Sequence, residues 1–350
     1  MNEWAALIIA VVTSFGITWL LGYKIIPWLH KLKFGQVILD IGPNWHKHKQ
    51  GTPTMGGIMF IVGTLLSCLL VFGVDALFYE SSLLNIGHGF GTKLLSGILM
   101  ASLFGLIGFL DDYTKVVKKR NKGLSISQKT VTQVVVAVGY LFSLYLAMGK
   151  DPYTFIPFVF GKVHLGWFFW VFGLVILYAA INAVNFTDGI DGLCSSVTIT
   201  AAAAVLVCAL LLKLPGVGIA AAALGGGCAG FLVWNKNPAK VFMGDTGSMF
   251  LGGMLVALCF ALDVPVVLLL VGVIYVIEGL SDVIQIGYFK ATHGKRVFKM
   301  APIHHHFEMS GWNENKIVAV FSAVNILGGL CGIAAIAWGL AENYPLLINS

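Results

Sequence analysis

The chain has 350 residues, 58% of them hydrophobic and 11% charged, with a formal net charge of +6. A soluble domain carries about 25% charged residues, so most of this surface does not face water. Repeated apolar runs of about 18 residues or more specify an all-α polytopic membrane protein, and the alternating pattern of a membrane barrel is absent.

Ten candidate spans follow in order, at about 4–29, 55–74, 94–111, 130–149, 166–186, 193–212, 216–234, 246–262, 265–289 and 315–340. Met1-Asn2-Glu3 precedes the first run with no basic residue, unlike the start of a cleaved signal peptide, so span 1 is expected to remain. Between spans 4 and 5, the segment Asp151–His164 has β-branched and aromatic residues around Pro157 and Gly161, as a small hairpin would. Lys213-Leu214-Pro215 joins spans 6 and 7 as a tight turn. The six cysteines all lie in apolar runs without CxxC spacing, which makes disulfide and zinc readings weak. There is no internal repeat and no low-complexity tract, so residues 1–350 are read as one domain.

Basic residues decide sidedness. The loops after odd-numbered spans, with Lys24, hold 18 of the 22 lysines and arginines; only Lys93, Lys150, Lys162 and Lys213 lie on the other side. That asymmetry predicts cytoplasmic odd-span loops and two extracytoplasmic termini. Anionic-lipid attraction explains part of the basic content, and no nucleic-acid module is present; Lys118–Lys122 is short and adjoins a span.

Four polar strings then fall on the cytoplasmic face, each at the end of an apolar run: FLDDY at 109–113, NFTDGIDG at 185–192, FMGDTGS at 242–248 and APIHHHFE at 301–308. Carboxylates in such places are costly without a task, which points to a shared metal or substrate site. Asp111 and Asp112 close span 3, where carboxylates oppose the helix dipole. Neighbouring helical residues point about 100° apart, so the two are expected to do different jobs, with Lys115 a local ion-pair partner. Asn182 and Asn185 end span 5, and Asp188 and Asp191 follow, flanked by Gly189 and Gly192, which let the backbone pass close to a ligand. Asp191 alone is also explained as a cap of span 6, and an EF-hand is excluded because its ligand ladder is missing.

In the third string, Asp245 stands beside Gly244 and Gly247, with Thr246 and Ser248 at a helix start suited to phosphate and Mg²⁺; a simple cap by Asp245 or Thr246 is the plainer alternative. His304, His305 and His306 are adjacent and fan outward, so they suit phosphate or sugar contacts better than one metal ion. Span 9 carries Glu278, Asp282 and Gln285 as a polar stripe that must face protein or water. Before span 2, His46–Lys49 runs into GTPTMGG at 51–57, an anion-binding turn with Lys49 as its charge, or a basic loop with Thr54 as a cap.

Together these strings, with NPAKVFMGDTGS at 237–248, resemble the phospho-N-acetylmuramoyl-pentapeptide transferases, over nearly the whole chain. The aspartate strings are shared with the wider polyprenyl-phosphate N-acetylhexosamine-1-phosphate transferase group; PTMGG and APIHHHFE are specific to the muramoyl-pentapeptide branch. The resemblance implies transfer of phospho-MurNAc-pentapeptide from UDP-MurNAc-pentapeptide to undecaprenyl phosphate, yielding UMP and lipid I. It further implies Mg²⁺ dependence, a homodimer and a multi-pass location in the bacterial inner membrane among membrane lipid. Site chemistry and family pattern together make Asp245 the expected Mg²⁺ ligand, supported by Asp112, and Asp111 the group that orients or deprotonates the lipid phosphate. Asn182, Asn185, Asp188 and Asp191 are expected on the nucleotide side, with Gly189 and Gly244 among the substrate contacts; Phe242 is a candidate to stack on uracil, with plain packing beside Met243 the commoner alternative. Lys49, Thr54, Lys115 and Lys129 are expected to contact phosphate or sugar, and Ser248, Gln285 and His304–His306 to complete the rim. The nearest rival is a sibling transferase using UDP-GlcNAc. A transporter would place acids near the midplane, and a scaffold would give three aspartate strings no reason to share one side.

Overall fold

A computed structural model describes residues 1–32, 49, 51–79, 83–84, 90–117, 123–148, 152–156 and 161–341. The stretch His46–His48, the basic run Lys118–Lys122 and the hairpin tip at Pro157 lie outside the described residues. Twelve helices follow in order: α1 (Glu3–Lys31), α2 (Gly57–Phe78), α3 (Phe90–Val117), α4 (Ile126–Met148), α5 (Phe168–Thr187), α6 (Leu193–Leu211), α7 (Pro215–Asn235), α8 (Gly244–Ala261), α9 (Leu268–Val271), α10 (Val273–Ala291), α11 (Ile303–Glu308) and α12 (Glu314–Ala341). Among the described residues, nine helices are long and apolar enough to cross a membrane, and ten such spans result if α9 and α10 count as one. The polytopic all-α reading therefore holds, as does the hairpin: β1 (Tyr153–Ile156) pairs antiparallel with β2 (Gly161–His164), Tyr153 opposite His164.

α8 is the hub. Every residue from Thr246 to Ala261 is buried, whereas α1 presents Ile8, Val12, Phe15 and Leu20 outward, as a lipid-facing helix does. α8 packs antiparallel on α3 through small residues. A Cβ added at Gly97 would lie 2.6 Å from the Ala257 Cβ, one at Gly253 would lie 2.8 Å from the Ala101 Cα, and one at Gly108 would lie 2.1 Å from the Asp245 carbonyl oxygen. Apolar side chains gain nothing by leaving lipid for protein, so close backbone approach and van der Waals contact hold such a pair together. The far end is closed by charge: the Lys93 ammonium reaches both Asp263 oxygens, at 2.6 and 2.7 Å, with both side chains buried. Removing either partner alone would strand a buried charge, at a cost of about 3–5 kcal/mol.

One span departs from expectation. The run 265–289 is not one straight helix but a short 3-10 turn (Pro265–Val267) and α9, then a bend of 87° into α10. The break falls at Gly272, and Asn325 of α12 receives the freed backbone groups: its Oδ1 accepts from the Ile274 N–H, and its Nδ2 donates to the Val271 carbonyl and Thr200 Oγ1. A buried side-chain amide with both a donor and an acceptor is what a break inside an apolar bundle requires.

The tight α3–α8 contact gives a direct test. Gly108→Ala should displace the Asp245 backbone and lower turnover at least about tenfold, because a misplaced reactive group is expensive. Gly139→Ala, where an added Cβ meets nothing within 4 Å, should leave turnover unchanged. Equal activity of both variants in a detergent-solubilised assay would refute the coupling of this packing to the site.

Candidate active site at one end of the helix bundle

Asp111 and Asp112 do not close α3, which runs on to Val117, but lie within its last two turns; Asp245 begins α8, and antiparallel packing brings these ends together. One oxygen from each of the three carboxylates lies within 4.8 Å of the others. Each carboxylate has one oxygen fastened by neutral or backbone donors. Asp111 Oδ1 accepts from the Leu124 N–H at 2.7 Å, Asp112 Oδ2 from the Thr246 N–H and Oγ1 at 2.9 and 2.7 Å, and Asp245 Oδ1 from Asn185 Nδ2 at 2.9 Å. The second oxygens converge on Lys115, whose Nζ lies 2.6 Å from Asp111 Oδ2, 3.7 Å from Asp112 Oδ1 and 3.2 Å from Asp245 Oδ2. The ammonium thus stands at the point where a cation would sit, and the set offers three oxygens to one hard ion such as Mg²⁺. Adjacent aspartates on one helix were expected to act apart; here both reach the same point, because Asp112 is drawn to α8 and Asp111 to Lys115.

The start of α8 is capped from outside. No α8 side chain caps its own N-terminus; Asp112 does so through Thr246, where the helix dipole also favours negative charge. Gly244 has φ +68, and a Cβ there would lie 2.4 Å from Asp112 Oδ2 and 2.6 Å from Thr54 Oγ1, so glycine alone fits. Lys129 of α4 donates to Asp245 Oδ2 at 2.9 Å and to Asn185 Oδ1 at 3.4 Å, and Asn185 also donates to Ser248 Oγ at 2.8 Å. The open side of this cluster is marked by exposure: Asp245 is 19% exposed and Lys115 34%, against 5% and 4% for Asp111 and Asp112.

Asp188 is half-buried, between α5 and α6, and its carboxylate has no hydrogen-bond or ion-pair partner among the described residues. Burial, reinforced by Asp245, Asp112 and Asp191, pushes its carboxyl well above the usual carboxylate range. Asn182 instead pairs with Gln133 of α4, at 3.2 Å, and with its own helix at Tyr178. Phe242 is half-buried, and its backbone bonds the Pro53 carbonyl and the Gly56 N–H, joining the Gly51–Gly57 turn to α8.

Asp191 does not cap α6; the cap position is Gly192, with no side-chain bond. Its carboxylate binds the Lys49 ammonium at 2.7 Å, Asn237 Nδ2 at 3.2 Å and the Ala239 N–H at 2.9 Å, while Lys49 also meets Glu314 at 2.6 Å. Glu314 and Asn237 had not been singled out from sequence: Glu314 looks like an ordinary first-turn acid of the last helix, and Asn237 precedes a proline in a loop. Gln285 holds the loop after α10, accepting from the Val297 and Phe298 N–H groups. The histidines diverge. His304 is buried on Glu278 at 3.0 Å, His305 pairs with Glu308 at 2.6 Å, and His306 Nδ1 accepts from the Lys299 N–H at 3.1 Å. All of the candidate side chains thus lie on strings meeting at one end of the bundle, though Asn182, Asp191, Gln285 and His306 spend their polar atoms on protein partners.

Comparison with known proteins agrees with these strings. The family model described as glycosyl transferase family 4 matches residues 94–263, and the phospho-N-acetylmuramoyl-pentapeptide-transferase signature 1 matches residues 49–61, across the Gly51–Gly57 turn. The phospho-N-acetylmuramoyl-pentapeptide-transferase of Listeria monocytogenes serotype 4b (strain CLIP80459) is 44% identical over 311 residues, covering 89% of this chain and 92% of that protein. Its namesakes from Carboxydothermus hydrogenoformans, 44% identical over 327 residues (91% and 95%), and Bacillus thuringiensis, 42% identical over 332 residues (95% and 98%), are similar throughout. With the aspartate site and this full-length similarity in place, the chain belongs to the phospho-N-acetylmuramoyl-pentapeptide-transferase family.

Proposed function

We propose that the chain transfers phospho-MurNAc-pentapeptide from UDP-MurNAc-pentapeptide to undecaprenyl phosphate. A phosphate oxygen of the lipid attacks the sugar-bound phosphorus, the bridge to the uridine-bearing phosphate breaks, and UMP leaves; the product is undecaprenyl-diphospho-MurNAc-pentapeptide, lipid I. The observation that carries this is the convergence of Asp111, Asp112 and Asp245 with Lys115 and Lys129, together with the names of the full-length relatives. Two anionic phosphates must meet, and little but positioning and positive charge is needed to let them react.

Asp245 and Asp112 would hold Mg²⁺, with Asp111 beside them; their donor set is hard oxygen, and an ammonium already stands at the convergence point. Bound there, the ion supplies positive charge to the phosphate oxygens as they crowd together. Asp111, fastened through one oxygen and ion-paired to Lys115 through the other, orients the lipid phosphate or takes its proton. Lys115 and Lys129 sit on the exposed side, where they can follow phosphate charge. Asp188, with no partner among the described residues, is the carboxylate that would bind the donor, whereas Asp191 serves it by anchoring Lys49. The excess of basic loops on this side supports a cytoplasmic site in the inner membrane, with both termini outside. We place the enzyme there as a homodimer.

The direct test is product identity. Purified protein given undecaprenyl phosphate and labelled UDP-MurNAc-pentapeptide should form a labelled lipid and release UMP, while UDP-GlcNAc should yield none; the reverse preference would establish the sibling activity. Asp245→Asn and Asp111→Asn should each lower turnover at least about 100-fold while the protein still folds. Near-normal turnover in both would remove these assignments. Chelating divalent cations should stop turnover and added Mg²⁺ should restore it; activity persisting in excess chelator would rule out the metal.

A further inference from the structure

Outside the aspartate cluster, one buried polar pair remains unaccounted for. Glu278 of α10 and His304 of α11 are both fully buried. The His304 Nδ1 lies 3.1 and 3.0 Å from the two Glu278 oxygens, so it donates its hydrogen to the carboxylate and the ring is held by it. The other nitrogen, Nε2, is buried with no hydrogen-bond partner among the described residues. A buried polar atom without a partner is costly to keep, and a ring nitrogen so placed is available to a ligand.

Nε2 faces the Asn185–Gly192 string. A Cβ added at Gly189 would lie 2.2 Å from it, so only glycine lets that backbone lie against the ring. Gly189 directly follows Asp188, the carboxylate with no partner among the described residues. Two polar groups without partners among the described residues therefore border one string: a carboxylate on the string itself and a ring nitrogen pressed against its next residue.

We propose that Glu278 is a positioning residue, which locks the His304 ring so that Nε2 is presented across Gly189 to a polar group of the sugar-nucleotide donor. The proposal rests on the transferase reading above and adds to it the residue through which His304 is aimed. The logic is that of a carboxylate orienting a histidine by one ring nitrogen so that the other meets the ligand.

The test is a cycle of Glu278→Ala, His304→Ala and the double variant, with Glu278→Gln as the conservative replacement, assayed on the full chain in detergent. Glu278→Ala should lower kcat/KM for UDP-MurNAc-pentapeptide about 10–100-fold, leaving KM for undecaprenyl phosphate unchanged. The double variant should be no worse than His304→Ala. Glu278→Gln, whose amide oxygen still accepts from Nδ1–H, should recover most of the loss. If Glu278→Ala does not fold, Glu278→Leu, of similar volume but unable to accept from Nδ1–H, takes its place in the cycle. Multiplying losses in the double variant, or a loss shared equally between the two substrates, overturns the positioning role while lipid I formation by the unsubstituted chain stands. No lipid product from the unsubstituted chain overturns the transferase reading and this proposal with it.

Discussion

The antiparallel seam between α3 and α8 is the contact on which the rest depends. Its residues step along both helices from the buried Lys93–Asp263 pair, through Gly97 on Ala257 and Ala101 on Gly253, to Gly108 on the Asp245 carbonyl. A seam of small residues offers little freedom, because backbone approaches backbone and no flexible side chain can take up slack. One end is clamped by charge and the other by the Asp112 cap on Thr246. The end of α3 and the start of α8 are thereby held at fixed separation, and the aspartates they carry meet without any further device.

That seam also explains how three carboxylates survive together at low exposure. Like charges held this close repel one another strongly unless donors and cations offset them. Here each carboxylate has one oxygen satisfied by donors without net charge, and the three remaining oxygens share the ammonium of Lys115, with Lys129 added at Asp245. The division has a chemical use. The fastened oxygens set where the carboxylates stand, and the converging oxygens stay available to exchange one cation for another. A site built this way does not need to reorganise when phosphate charge arrives, and preorganised charge is the largest single contribution available to a phosphate transfer.

Much of this was legible in the residues. Because a bilayer-length helix leaves a signal too long to miss, apolar runs located the spans to within a few positions, except that α3 runs six residues past its expected end and the run 265–289 is bent. Acid strings at run ends marked Asp111, Asp112, Asp188 and Asp245, since carboxylates there are costly. What could not be read is what depends on a partner distant in sequence. The bend at Gly272 is tolerated because Asn325, on another helix, receives the broken backbone, and nothing local to Gly272 announces that. Asp191 looked like a cap or a ligand and proves to be tied to Lys49, Asn237 and Ala239. Helical geometry separated Asp111 from Asp112 by about 100°, but geometry on one helix says nothing of where a second helix draws the carboxylates.

On the function proposed above, the donor side is built on a different principle from the aspartate trio. Its strings come from the α5–α6 turn, the loop before α8, the turn before α2 and the loop between α10 and α12. Two buried polar contacts tie them together: Lys49 joins Asp191 to Glu314, and His304, bonded to Glu278, lies against Gly189. Small-residue packing fixes distance but offers no polar group to a ligand, whereas ion-paired loops fix polar groups and leave the backbone between them open. A lipid phosphate needs only charge placed at one distance, which the seam provides. A sugar nucleotide carries many hydrogen-bonding groups spread over a long molecule, and it needs separate strings held in register by contacts of this kind. On the proposed function, the two halves of the site differ in construction as the two substrates differ in what must be recognised.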